Sequence, residues 1–295
     1  MKFLRTHGAL LLVNLIYGAN FTIAKQVMPK YIAPYAFIIL RVSTALFIYG
    51  IIHTLFFKSV IDWKADWKRF ACCGFFGIAF NQLMFFKGLS LTTPINGSLL
   101  MIITPIFVIL ISSILHSETL RWNKIVGTMI GAVGAFFLIG GKEINFNSTS
   151  ALGDFCIILN AVSYAIYLVI AKPLMSKYNP FTVITYVFLM GYIWVVFVGW
   201  NQLGQVQWAE IPPHYYWHIA FILILATALV YYLNLLAMKE TTSTVVGNYI
   251  YTQPLFAVII ALFAKNDFLD LIKICSGLLI ILGVYLTSMS TKKTT

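Results

Sequence analysis

Apolar residues along this chain come in blocks. Ten of them, each about the 20 residues that cross a ~30 Å hydrocarbon core, occupy 8–28, 34–57, 69–87, 94–115, 122–140, 153–171, 180–201, 215–237, 243–264 and 269–289. Where polar residues interrupt a block they recur at helical spacing, as Asn160, Ser163, Tyr164 and Tyr167 do, so the blocks are predicted to be helices. The connections are mostly short, and none is long enough to fold as a soluble domain. The predicted fold is therefore an all-α integral membrane protein with ten transmembrane helices.

Composition agrees. With 60% hydrophobic and 10% charged residues and a mean hydropathy of +0.89, the chain has too little polar surface to coat a soluble globule. The first block continues past the loosely cleavage-like Tyr17, Gly18 and Ala19, and is read as a permanent helix rather than a secretory signal. Cys72, Cys73, Cys156 and Cys275 form no metal or redox spacing and are read as small apolar residues.

The net charge of +11 would suit a nucleic-acid binder, but its distribution points elsewhere. With the amino terminus in the cytoplasm and the helices alternating, Lys2, Arg5, Lys64, Lys68, Arg69, Arg121, Lys124, Lys172 and Lys177 are among the basic residues on the inner side. The outer side carries fewer: Lys25, Lys30, Lys87, Lys142, Lys265 and Lys273. That bias puts both termini in the cytoplasm. Trp63, Trp67, Trp122, Trp200 and Trp217 near helix ends fit an interfacial aromatic belt, and no basic-aromatic pattern for nucleic acid is present.

The chain also repeats itself. Tyr17, Ile23, Ala24 and Lys25 align with Tyr164, Ile170, Ala171 and Lys172 at a separation of 147. Thr92, Thr93, Pro105, Phe107, Ile111 and Gly134 align with Thr241, Thr242, Pro254, Phe256, Ile260 and Gly283 at 149, and Glu118 is matched by Asp267. Five crossings per half is an odd number, so the halves, 1–145 and 146–295, enter the membrane from opposite sides. This is the inverted repeat of many secondary transporters, with the substrate near the midplane and access alternating as the halves rock. Lys25 and Lys172 then close equivalent helices on opposite sides and report topology.

The order of features in each half resembles the EamA family of the drug/metabolite transporter superfamily. A first helix carries Tyr17, Gly18, Asn20, Phe21 and Lys25, a later one a central proline, and an acidic residue opens a glycine-rich last helix. The resemblance spans about 8–140 and 153–288, and departs at Tyr17, where Trp is common, and at Asn266 and Asp267, where Glu is usual. It implies a secondary transporter exporting amino acids and other small metabolites, and is silent on the cargo of this chain.

Polar groups facing lipid are costly, so those inside the blocks are expected to point into the bundle. Candidate cargo contacts are Asn14, Tyr17 and Asn20 in the first helix, Arg41 in the second, Asn81 and Gln82 in the third and Asn96 in the fourth. The second half adds Tyr164 and Tyr167, Tyr231 and Asn234, and Asn248, Tyr249 and Gln253. Interhelical hydrogen bonding is the competing role for each. Arg41 would bind a carboxylate or phosphate, joined by Lys25 or Lys87, or snorkel outward. Pro105 and Pro254 break their hydrogen-bond ladders and are candidate hinges. Helices 1, 3, 4, 6, 8 and 9 line the expected site, while 5 and 10 lie at the periphery. The Gly127/Gly131 pair packs another helix of the same chain or a second copy, leaving monomer and homodimer open. Glu118 and Arg121 pair structurally at the start of the fifth helix.

No HExxH, Walker A, nucleophile elbow or metal-spaced acidic pair occurs, which excludes the common enzyme readings and leaves no metal or cofactor to expect. None of the acidic residues sits mid-crossing, favouring facilitated efflux or exchange over proton antiport. The resulting expectation is a carrier in the cytoplasmic membrane that exports small metabolites, amino acids first. Its partners are a small-molecule substrate and the bilayer, without nucleic acid. A carrier of phosphorylated or carboxylated anions is the alternative, and a non-transporting scaffold or receptor is the reading against which the repeat argues.

Overall fold

The computed structural model describes residues 2–57, 60–115, 117–119, 121–139, 148–263 and 271–289. The helices are α1 (Lys2–Val27), α2 (Pro34–Phe56), α3 (Trp63–Leu91), α4, α5 (Trp122–Ile139), α6 (Ser148–Lys177), α7 (Pro180–Gly204), α8 (Tyr215–Glu240), α9 and α10 (Leu271–Ser288). Two are composite. Helix α4 joins Pro94–Leu100 to Thr104–Ile114 through a 3-10 turn at Met101–Ile103, and α9 joins Ser243–Asn248 to Thr252–Phe263 through one at Tyr249–Tyr251. No strand occurs among the described residues. Eight described helices are long and apolar enough to cross a membrane, and Trp122–Leu138 is a shorter apolar helix.

The starts follow local chemistry. Pro34, Pro94 and Pro180 open their helices, where a missing N–H costs nothing. The Thr93 hydroxyl accepts from the Asn96 amide at 3.2 Å and Thr242 accepts from Val245 at 3.3 Å, capping α4 and α9 identically. The 3-10 turns also share a cause: neither Pro105 nor Pro254 has an N–H for the carbonyl four residues back, Met101 or Ile250. The Thr252 hydroxyl takes up the neighbouring Tyr249 carbonyl at 2.7 Å.

Large apolar side chains point outward along whole faces, among them Phe47, Ile51 and Leu55 on α2, Ile193 and Phe197 on α7, and Phe136 and Phe137 on α5. Water would not tolerate such a surface, whereas lipid does. Inside, α3 packs on α6 and α1 on α8, α4 on α6 and α9 on α1, α2 on α7, and α5 on α10. Shifting each helix number by five reproduces this pattern. Glycines permit the tightest crossings. A Cβ on Gly127 would lie 2.7 Å from the Gly283 carbonyl, and one on Gly283 would lie 2.6 Å from that of Gly127, so the glycine face of α5 is filled by α10 of the same chain.

The two lysines do more than mark helix ends. Lys25 donates to the carbonyls of Leu89, Ser90 and Thr92 at 2.7, 3.0 and 2.9 Å, and Lys172 donates to those of Met238 and Thr241. Each ammonium caps the carboxyl end of another helix, α3 for Lys25 and α8 for Lys172, where a cation also meets the negative end of the helix dipole. Lys25 is thus committed away from Arg41. Glu118 pairs with Lys124 at 2.9 Å rather than with Arg121, because its carboxylate is also drawn to the amino end of α9, where it accepts from the Thr244 amide and hydroxyl. Asp267, its sequence counterpart, lies outside the described residues.

Candidate functional site

Two interruptions in the helical ladder build the site. Helix α3 widens to a π-helix at Phe75–Ala79 and α8 does so at Phe221–Leu229, positions that overlap when the 149-residue offset is applied. A π segment releases carbonyls from the regular pattern, and side chains from other helices take them. Ser163 donates to the Phe76 carbonyl at 2.6 Å and Tyr231 to that of Gly77 at 3.2 Å. In α8, Arg41 donates to the Ala226 carbonyl at 3.1 Å, and the Tyr49 hydroxyl donates to that of Ala228.

Beside these segments lies a cavity lined by Tyr17, Asn20 and Phe21 of α1, Arg41 of α2, Asn81, Gln82, Phe85 and Phe86 of α3, and Met101 of α4. Asn160 and Tyr164 of α6, Tyr231 of α8, and Ile250 and Gln253 of α9 complete it. Both halves contribute. Helices α5, α7 and α10 supply none of its described lining.

Of the residues singled out by sequence, Tyr17, Asn20, Arg41, Asn81, Gln82, Tyr164, Tyr231 and Gln253 converge here. Two more stand directly behind them: Asn14 accepts from Gln253 at 2.9 Å, and Asn234 donates to the Tyr164 hydroxyl at 3.2 Å. The remaining four are buried elsewhere. Tyr167 lays its ring against Gly77, where a Cβ would collide with it. Asn248 donates back to Thr244 in its own turn at 2.8 Å, Tyr249 meets His7 at 2.6 Å, and Asn96 sits in the first turns of α4. All fourteen are buried or line the cavity.

Some lining residues were not singled out. Asn160 stood in a recognised polar stripe, and the others, Phe21, Phe85, Phe86, Met101 and Ile250, are apolar. Phe85 and Phe86 lie four residues after Asn81 and Gln82, so helical periodicity places them on the same face.

Arg41 is 3% exposed. Its Nε donates to the Thr227 hydroxyl at 2.8 Å, and its guanidinium lies 4.4 Å from the centroid of the Phe86 ring. No carboxylate pairs with it among the described residues, and none lines the cavity. Asn81 and Asn160 bridge α3 and α6 reciprocally, each amide nitrogen donating to the other's backbone carbonyl, at 3.2 and 2.8 Å. No group of His, Cys, Asp and Glu fit to hold a metal ion occurs among the described residues.

Comparison with known proteins bears on this architecture. A solved crystal structure superposes with a TM-score of 0.74, covering 99% of this chain and 98% of that one at 16% identity, a likeness of fold alone. A protein of Archaeoglobus fulgidus named an uncharacterized transporter is 24% identical over 96% of this chain and 97% of its own length. A probable terminal-alkyne amino-acid exporter of Streptantibioticus cattleyicolor is 26% identical over 44% of this chain and 43% of its own. The model of the EamA-like transporter family matches residues 5–140 and 151–289, nearly the whole sequence, and the chain belongs to that family of membrane transporters.

Proposed function

We propose that this transporter exports small metabolites, amino acids foremost, across the cytoplasmic membrane by alternating access. Residues 1–145 and 146–295 act as two inverted five-helix halves, ten crossings in all, with both termini in the cytoplasm. The observation that carries the reading is the cavity. It is polar and aromatic, it is fed by both halves, and it lies beside matched π segments and next to the 3-10 turns that precede Pro105 and Pro254. Helical irregularities at corresponding places in two halves are where secondary transporters bind cargo and bend. The matching lysine caps, threonine caps and helix pairings support the repeat, and the distant relative named an amino-acid exporter supports the cargo class.

The test is counterflow into liposomes containing the purified protein. Labelled amino acids are expected to exchange, and exchange of sugars or nucleotides with none of amino acids would overturn the reading. A second reading, a carrier of phosphorylated or carboxylated anions, is favoured by one observation, the buried and unpaired Arg41 guanidinium. Preferential exchange of sugar phosphates or dicarboxylates would establish it.

A further inference from the structure

We propose that the cavity recognises its cargo as a zwitterion, with the Arg41 guanidinium receiving a carboxylate and the amide oxygens of Asn20, Gln82 and Asn160 receiving an ammonium. This rests on the amino-acid reading above and assigns the groups that would make it selective.

The acceptor side follows from hydrogen-bond accounting. The side-chain oxygens of Asn20, Gln82 and Asn160 are buried without a partner, and all three residues line the cavity and are 2% exposed. For two of them the amide orientation is dictated by the other end. The Asn160 nitrogen donates to the Asn81 carbonyl at 2.8 Å. The Gln82 nitrogen donates at 3.3 Å to the Tyr231 hydroxyl, whose own hydrogen goes to the Gly77 carbonyl. Swapping either amide would set oxygen against oxygen for Asn160 and break the donor relay for Gln82. The free ends are therefore acceptors, and they call for a donor.

The cationic side follows from charge. Arg41 holds a full positive charge in the membrane interior with only neutral groups around it, and such a charge is strongly favoured by an anionic partner. Phe86, on which the guanidinium lies, is one helical turn from Gln82 on α3, so Arg41 and the Gln82 amide address the same face. An α-amino acid carries carboxylate and ammonium on one carbon and can meet both.

Simpler ions satisfy half of this. An amine would fill the acceptors while lying against an unneutralised guanidinium, with no carboxylate in the cavity to offset the repulsion. A 2-oxo acid would neutralise Arg41 and leave three oxygens without donors, which a site built to hydrogen-bond its ligand rejects strongly.

Counterflow in liposomes with phenylalanine, phenylpyruvate and phenethylamine, and with leucine and its 2-oxo acid and amine, tests this. Only the amino acids are expected to exchange. Arg41→Gln should abolish exchange, and Gln82→Leu or Asn160→Leu should lower it about tenfold while narrowing the preference for amino acid over 2-oxo acid. Because those variants could lose transport by misfolding, Gln82→Glu supplies a gain of function: a carboxylate in the cavity should admit phenethylamine, which the unaltered protein excludes. Equal exchange of amino acids and their 2-oxo acids, or failure of Gln82→Glu to admit the amine while it still carries phenylalanine, would overturn the zwitterion assignment and leave the amino-acid reading standing. Exchange of sugars or nucleotides with no amino-acid exchange at all would overturn both.

Discussion

The two ends of the helix bundle solve one structural problem with different chemistry. At the end that the charge bias assigns to the cytoplasm, Asp66 of α3 accepts from Lys177 of α6 at 3.0 Å and from the Tyr178 hydroxyl at 2.7 Å. At the opposite end the residues at the repeat offsets are Tyr215, Lys30 and Tyr31. There the Tyr31 and Tyr215 rings stand 4.8 Å apart between centroids, with Lys30 5.0 Å above Tyr31. The first cluster joins α3 to the end of α6, and the second joins the turn after α1 to the start of α8. The two places sit at matching offsets along the sequence, yet one is held by an ion pair and the other by rings. Matching positions along the chain thus carry contacts of different chemistry, and the side chains set how firmly each responds to charge and salt.

Charge also dominates this first end through Glu118, and removing it should produce the largest effect. Its carboxyl is pushed up by burial, but the adjacent Lys124 ammonium and the hydrogen bonds from Lys124 and Thr244 more than offset this and hold it below the ordinary carboxylate value. A group with a depressed folded pKa contributes stability above its unfolded value near 4.5, lost as pH falls through the lower folded value. Glu118→Gln should therefore cost on the order of 3 kcal/mol at neutral pH, since it leaves the largely covered Lys124 ammonium without its carboxylate. The gap from the unaltered protein should close on acidification. Thermal unfolding in detergent at neutral pH and again below pH 4 checks both parts, and a gap that did not narrow would mean the charge is not what holds α9.

The lysine caps come next, and they compare the halves directly. Lys25→Met removes three donors from the end of α3 and Lys172→Met removes two from the end of α8. A loss of ~2 kcal/mol is expected for each, because hydrogen bonds to a charged group are the stronger kind and interfacial water replaces only part of them. Norleucine-like length is retained in both variants, so equal losses would identify a shared capping role. A loss at Lys25 alone would show that the second lysine is dispensable.

How much of this was legible in the chain differs by kind. The apolar blocks and the polar stripes were readable because each depends on neighbours within one helix, and Tyr17, Asn20, Gln82 and Tyr164 do reach the cavity. The π segments left no such mark. Their freed carbonyls are taken up by partners far away in sequence, as that of Ala226 is by Arg41, 185 residues earlier. The partners of Lys25 were unreadable for the same reason, its acceptors lying 64 to 67 residues on, at the end of another helix. Tyr167 and Asn248 share helices with cavity-lining residues but are spent on Gly77 and on Thr244, because a polar stripe wider than the cavity must also serve as glue.

The smallest effect returns to the two ends and sharpens their contrast. Asp66→Asn removes the ion pair but keeps a hydrogen-bonding side chain, and Lys177 is half exposed, so the loss should be only about 1 kcal/mol. Tyr215→Leu removes one ring of the opposite cluster and should cost a similar amount, about 0.5–1.5 kcal/mol. The magnitudes do not separate the two contacts, but ionic strength does. Salt at ~1 M shortens the screening length to about 3 Å, so the penalty of Asp66→Asn should shrink there. That of Tyr215→Leu should not, because ring packing carries no net charge to screen. Melting both variants at low and high salt, each against the unaltered protein under the same conditions, measures the difference. Equal salt dependence would mean that Lys30 above Tyr31 contributes as much charge to its end as Lys177 does to the other, and the two ends would then be chemically alike after all.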